Sequence, residues 1–335
     1  MSRILVTGGL GFIGSHTVVE LQSSGYNVVI IDNLSNSKIE VLDNIESITG
    51  KRPDYYNIDL KSKEKVQHFF QQQKIDGIIH FAASKAVGES VEQPLKYYEN
   101  NITTLVYILQ EMKKHQLTNF IFSSSCTVYG QADELPITEK APIKPAESPY
   151  GNTKQIGEEI IKESCIADNL AAIALRYFNP IGAHNSAKIG ELPLGVPQNL
   201  IPYVTQTAVG IRKELSVFGG DYPTQDGTAI RDYIHVVDLA KAHIAALERL
   251  LKNNNKTEFE VFNVGTGKGS SVLEVIQAFE KVSNTKLNYK IVERREGDIT
   301  AAYADTNLAN EELGWKAEKT IEEALASAWK WQMEQ

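Results

Sequence analysis

Cysteine is almost missing from this chain. Its two residues in 335, Cys126 and Cys165, are too few for a disulfide framework or a zinc centre. The seven histidines are scattered, with no Cys or His ligand spacing around them, so no metal is expected. No stretch approaches the ~18 apolar residues that a membrane helix needs. The amino terminus runs from Met1-Ser2-Arg3 straight into Ile4-Leu5-Val6 without the apolar core of a signal peptide, so a cytoplasmic protein with no membrane partner is expected. Excess positive charge is lacking too. Asp plus Glu outnumber Lys plus Arg by 42 to 34, a net charge of −8, the wrong sign for tracking phosphate backbones, so nucleic acid is not an expected partner. What remains is an ordinary globular mix, 42% hydrophobic and 23% charged, long enough for one large or two modest domains.

Through the first half, short β-branched runs alternate with segments of helical period. Strands are predicted at 3–7, 27–31, 54–58, 77–81, 119–123 and 171–176, with helical segments such as 63–73 and 101–115 between them. Each crossover must return the chain parallel to the strand before it, which predicts an α/β fold with a doubly wound parallel sheet of Rossmann type. The strands are apolar on both faces, as in Val28-Val29-Ile30-Ile31, which suits a sheet covered by helices on both sides. After Arg176 the period is lost in a Gly- and Pro-bearing stretch. A boundary therefore falls near 180, between a dinucleotide-binding domain at 1–180 and a smaller α/β substrate domain at 181–335, some segments of which return to the first. Beyond it, helices are predicted at 202–210, 237–251, 271–282 and 321–332, with a strand at 260–264.

Directly after the first strand comes Gly8-Gly9-Leu10-Gly11-Phe12-Ile13-Gly14. Glycine suits a tight turn, a close backbone approach to a pyrophosphate and close packing of helix on strand, with the anion at the helix start. The second strand runs into Asp32, where a carboxylate can accept from the adenosine ribose. A 2′-phosphate would be repelled by Asp32 and would want an Arg nearby, yet Asn33, Leu34 and Ser35 follow, so NAD is favoured over NADP. Asp59, closing the third strand, could accept from an adenine amino group or be a solvated loop carboxylate.

Ser148-Pro149 reads as a helix start, which puts Tyr150 and Lys154 on one face. An ammonium near a phenol favours the phenolate and lowers its pKa toward the working pH, so Tyr150 could take a proton from a substrate hydroxyl. Ser123-Ser124-Ser125 ends the fifth strand, at the edge where open α/β sheets bind ligands, and a hydroxyl there can bond the same reacting oxygen.

Taken with Arg176-Tyr177-Phe178-Asn179-Pro180, Arg231-Asp232-Tyr233-Ile234-His235-Val236 and Arg294-Arg295-Glu296-Gly297-Asp298, these motifs resemble the extended short-chain dehydrogenase/reductase family, and within it the enzymes that epimerise UDP-sugars at C4. The resemblance implies that Gly8, Gly11, Phe12, Ile13, Gly14, Asp32, Asn33, Asp59, Leu60, Phe81, Ala82, Lys85, Asn100 and Ser123 line NAD. Tyr177 and Phe178 would lie near its nicotinamide. It makes Tyr150 the base, Lys154 its electrostatic partner and a further contact to NAD, and Ser125 the partner of the sugar 4-oxygen. Asn179, Asn199, Leu200, Phe218, Arg231, Tyr233, Arg295 and Asp298 would hold the UDP-sugar, and a homodimer built from first-domain helices, including 101–115, is implied. Ala302 would border the sugar's 2-substituent, and its small side chain implies room for an N-acetyl group.

Related dehydratases carry an Asp-Glu pair directly after the residue matching Ser125, and related decarboxylases a Glu at the second of those positions. Here Cys126 and Thr127 stand there, which counts against both chemistries. A non-catalytic NAD-binding regulator on the same fold would be expected to lose Tyr150, Lys154 or Ser125, and all three are present.

Overall fold

Residues 1–295 and 298–335 are described by the computed structural model, whose centre is a seven-stranded parallel sheet. Six of its strands come from residues 3–177: β1 (Arg3–Thr7), β2 (Asn27–Asp32), β3 (Asp54–Asn57), β4 (Gly77–His80), β5 (Asn119–Ser123) and β6 (Ala171–Tyr177). Four short strands follow, β7 (Asn179–Ile181), β8 (Leu215–Phe218), β9 (Ile230–Arg231) and β10 (Tyr233–His235). Then β11 (Phe259–Val264) returns to pair with β6, and β12 (Ser270–Ser271), β13 (Tyr289–Val292) and β14 (Ala301–Ala302) complete the set. The order β3-β2-β1-β4-β5-β6-β11 reverses direction between β1 and β4, the switch point where such sheets open a ligand crevice at their carboxyl ends.

The helices are α1 (Phe12–Ser23), α2 (Val41–Thr49), α3 (Lys63–Gln72), α4 (Val87–Glu92), α5 (Pro94–Lys114), α6 (Pro149–Asp168), α7 (Leu200–Ala208), α8 (Val236–Leu251), α9 (Val272–Ser283), α10 (Asn307–Glu312) and α11 (Ile321–Met333). The period of two along β1 sorts its side chains between two cores. Ile4 and Val6 pack with Val18 of α1, Ile45 of α2 and Leu247 of α8, whereas Leu5 packs with Phe69 of α3, Leu105 of α5 and Ile161 of α6. A third core joins Val204 of α7, Val217 of β8, Phe279 of α9 and Leu325 of α11.

The segment from α8 to β11 thus lies on the large sheet although it follows residue 180. Helix α5 starts earlier than its apolar period suggests, because Pro94 supplies a preset first turn to a polar beginning. The strands of two to four residues after β6 were not foreseen, being too short to carry a period. Among the described residues no helix is long and apolar enough to cross a membrane.

Candidate active site

The turn between β1 and α1 is built for a close neighbour. Gly8 has φ +68°, and a Cβ there would lie 3.0 Å from the Ala82 nitrogen. At Gly14 a Cβ would sit 2.2 Å from the Gly8 carbonyl oxygen, so only glycine lets the helix approach the turn. Helix α1 follows Gly11 as its N-cap residue, with no side-chain cap and no acid in its first turn, which leaves the amides of Phe12 and Ile13 available to an anion. Buried Asp32 accepts from Leu10 N–H at 3.1 Å, Leu34 N–H at 2.9 Å and Ser37 Oγ at 2.8 Å. A carboxylate offers about four acceptor sites, so one remains for a ribose hydroxyl. This donor and acceptor set fits a dinucleotide without a 2′-phosphate, and exposed Asn33 brings no cation for one.

The other expected cofactor residues divide. Phe81 packs 4.6 Å from the His243 ring, Ala82 N–H donates to Thr7 Oγ1, and the Asn100 amide donates to Ser84 and Asn101. Leu60 belongs to the core beneath. Asp59 is partly exposed and accepts from Lys61 N–H, the contact of a solvated turn. Lys85 Nζ donates to Glu191 Oε1 at 3.1 Å.

Ser148 Oγ caps α6 by accepting from Gly151 N–H at 3.1 Å, which sets the register that puts Tyr150 and Lys154 on one buried face. Lys154 Nζ donates to the Ser123 carbonyl at 2.6 Å and lies 5.8 Å from the centre of the Tyr150 ring. Burial brings the amine down to about 8, opposed by the Glu158 carboxylate. Burial also pushes the Tyr150 phenol well above its usual range; Tyr177 adds to this and the nearby Ser125 hydroxyl opposes it. The expected lowering of Tyr150 by Lys154 is therefore not seen here, because burial dominates and the ammonium is turned toward Ser123.

The serines are fixed one by one. Ser123 Oγ pairs with the Tyr177 hydroxyl at 2.6 Å, Ser124 Oγ donates to Glu158 at 2.5 Å, and Ser125 Oγ accepts from Thr127 N–H at 3.2 Å. Glu158 also takes Arg176 Nε at 2.9 Å, and Arg176 Nη1 donates to the Tyr129 hydroxyl at 2.9 Å. Sequence reasoning missed Glu158, although its place one turn beyond Lys154 on the same face was a usable signal.

On the other side of the crevice, Arg231 Nη2 meets Asp298 Oδ1 at 2.8 Å, and the Arg295 guanidinium lies 4.9 Å above the Phe218 ring. Asp232 does not pair with Arg231. It is buried and accepts from Thr266, Gly267 and Ala304, tying β10 to the chain beyond β11 and β14. Asn179 and Tyr233 are register partners in β7 and β10, and Asn199 and Leu200 open α7. Ala302 is the register partner of Arg231 and shares a small cluster with Phe178, Tyr129 and Cys126, the neighbour of Ser125. Through that cluster Cys126, next to Ser125, lies one strand register away from Arg231. Glu296 and Gly297 lie outside the described residues. Among the described residues no His, Cys, Asp and Glu group could hold a metal ion.

A glycine turn with Asp32 on a doubly wound sheet, and a Tyr and Lys four apart beside a strand-end serine, define an extended short-chain dehydrogenase/reductase. A family model described as GDP-mannose 4,6 dehydratase matches residues 5–328. UDP-glucose 4-epimerase of Bacillus subtilis is 52% identical over 330 residues, covering 98% of this chain and 96% of its own. That of Drosophila melanogaster is 50% identical over 336 residues, with the same two coverages. The crystal structure of UDP-glucose 4-epimerase from Bifidobacterium longum, in complex with NAD+ and UDP, superposes with TM-score 0.95 at 48% identity, covering 99% of this chain and 98% of that one. The chain belongs to the UDP-glucose 4-epimerase family.

Proposed function

We propose that this chain interconverts UDP-galactose and UDP-glucose by reversible epimerisation at C4, with NAD retained through the cycle. The observation that supports the reading is Lys154 beside the Tyr150 ring and bonded to Ser123 at the carboxyl end of β5, with Cys126 and Thr127 where a dehydratase needs carboxylates and Cys126 packed with Ala302, the register partner of Arg231. The chemistry that bound NAD supplies is reversible two-electron oxidation of the sugar at C4.

The chain's own residues do the rest. The Gly8–Gly14 turn and Asp32 hold the dinucleotide's pyrophosphate and ribose. Tyr150 takes the proton of the 4-hydroxyl and returns it, while the Ser125 hydroxyl bonds the same oxygen. Lys154, fixed on Ser123, supplies positive charge under the reacting centre. Arg231 and Arg295 grip the diphosphate as guanidinium forks, so that UDP stays anchored while the sugar turns over. With no acid or base at 126 or 127, loss of water is not catalysed.

Ala302 lies beside Cys126 and Phe178, and the Tyr303 ring lies against Gly269. This supports acceptance of UDP-N-acetylhexosamines. We further propose a cytoplasmic homodimer built on first-domain helices including α5. The test of the main reading is Tyr150→Phe. Turnover should fall by about 100-fold or more with UDP affinity nearly intact, and near-normal turnover would sink it.

A further inference from the structure

We propose that Glu191 is a positioning residue that couples nucleotide-sugar binding to dinucleotide retention, by tying Lys85 on the dinucleotide side to Asn199 on the nucleotide-sugar side. The inference rests on the functional reading above. A single carboxylate oxygen, Glu191 Oε1, accepts from Lys85 Nζ at 3.1 Å and from Asn199 Nδ2 at 2.6 Å. In the functional reading above, these partners serve the dinucleotide and the nucleotide-sugar respectively. Lys85 follows β4, and its ammonium lies 6.0 Å from the ring centre of Phe12, the first residue of α1. Asn199 is the residue from which α7 starts, and its own side chain does not cap that helix.

Glu191 is placed by its backbone. Trp331 Nε1 donates to the Glu191 carbonyl at 3.2 Å, and the Trp331 ring lies so close to Gly190 that a Cβ there would meet it at 2.5 Å. The same helix, α11, accepts from Ala183 N–H through Ser327 Oγ at 3.0 Å and donates from Lys330 Nζ to the Asn185 carbonyl at 2.9 Å. The stretch from 183 to 191 is thus anchored on α11, and it delivers the Glu191 carboxylate to the mouth of the crevice.

Stability does not explain the arrangement. The Lys85 side chain is 46% exposed, and an ion pair with one partner so open to water contributes little to folding. Position does. A ligand that engages Asn199 orders the chain from 191 to 199 and so fixes Glu191, which then holds Lys85 over the start of α1. A dinucleotide bound below Lys85 orders the same carboxylate from the other side. Each ligand lowers the ordering cost left for the other, and the coupling is reciprocal.

The test follows NAD release from holoenzyme after dilution, by rapid filtration, with and without saturating UDP. In the unaltered protein UDP slows release by about fivefold or more. In Glu191→Gln, which still binds UDP, the effect falls below about twofold, because a neutral amide loses the charge-assisted bond to the Lys85 ammonium. Lys188→Ala removes the contact that the same stretch makes with Ser47, and it keeps the full UDP effect. The inference is overturned by a full UDP effect in Glu191→Gln. It is equally overturned by loss of the effect in both variants, or by no effect in an unaltered protein that binds both ligands. An unaltered protein that binds neither NAD nor UDP overturns the functional reading instead.

Discussion

Replacing Lys154 with Met should make the dinucleotide-free protein more stable at pH 7 while removing turnover. The residue is 4% exposed, and burial holds its pKa at about 8 against an ordinary 10.5. The gap between those values corresponds to roughly 3 kcal/mol, the cost of keeping the amine charged inside the fold. Met preserves the stem's packing against Phe122, over which the ammonium now sits at 4.9 Å. Against this gain the Ser123 carbonyl loses its donor, at a cost of about 1–2 kcal/mol. The net is a stabilisation of roughly 1–2 kcal/mol, or about 1–3 °C in Tm for a chain of this length. The sign of the pH dependence follows from the direction of the shift. The folded pKa lies below the unfolded one, so between about 8 and 10.5 the unfolded state binds more protons, and the unaltered protein gains relative stability as pH rises through that window. The Met variant lacks that gain, and its advantage should shrink toward pH 10. Calorimetry of both proteins at pH 7 and pH 9.5 checks this. A variant less stable at pH 7, or one whose advantage is the same at both values, refutes the reasoning.

Asp232→Asn should cost about 2–4 kcal/mol, because the buried carboxylate accepts from Thr266 N–H, Thr266 Oγ1, Gly267 N–H and Ala304 N–H, and an amide nitrogen would face some of those donors. Denaturant unfolding reads it, and a loss under about 1 kcal/mol would show that the hub relaxes. Ala302→Tyr should abolish activity on UDP-N-acetylgalactosamine and spare UDP-galactose, since a phenol ring beside Cys126 and Phe178 would fill the acetamido space. If the unaltered protein turns over UDP-galactose yet shows no N-acetyl activity, the pocket argument fails.

The sheet was legible because burial on both faces leaves unbroken apolar runs such as Val28–Ile31, and because the Gly8–Gly14 turn and the Ser148-Pro149 start are local signals of backbone geometry. Tyr150 and Lys154 could be put on one face from their spacing. Their electrostatics could not be read, since burial depends on what the rest of the chain packs around them. Asp232 shows the same limit. Beside Arg231 in sequence it looks like a surface partner, but strand alternation sends the two side chains to opposite faces, one toward Asp298 and the other into the core. Glu191 had no local signal at all, because its role arises from Trp331 and Asn199 meeting it from distant parts of the chain.

The central claim is tested most directly by mixing the purified protein with UDP-galactose and no added oxidant, and following the products by mass spectrometry and a glucose-specific assay. Oxidation and its reversal cancel in an epimerisation, so UDP-glucose should appear at unchanged mass, and the same mixture should form from UDP-glucose. A product lighter by one water, or conversion only with stoichiometric added NAD, would contradict the account.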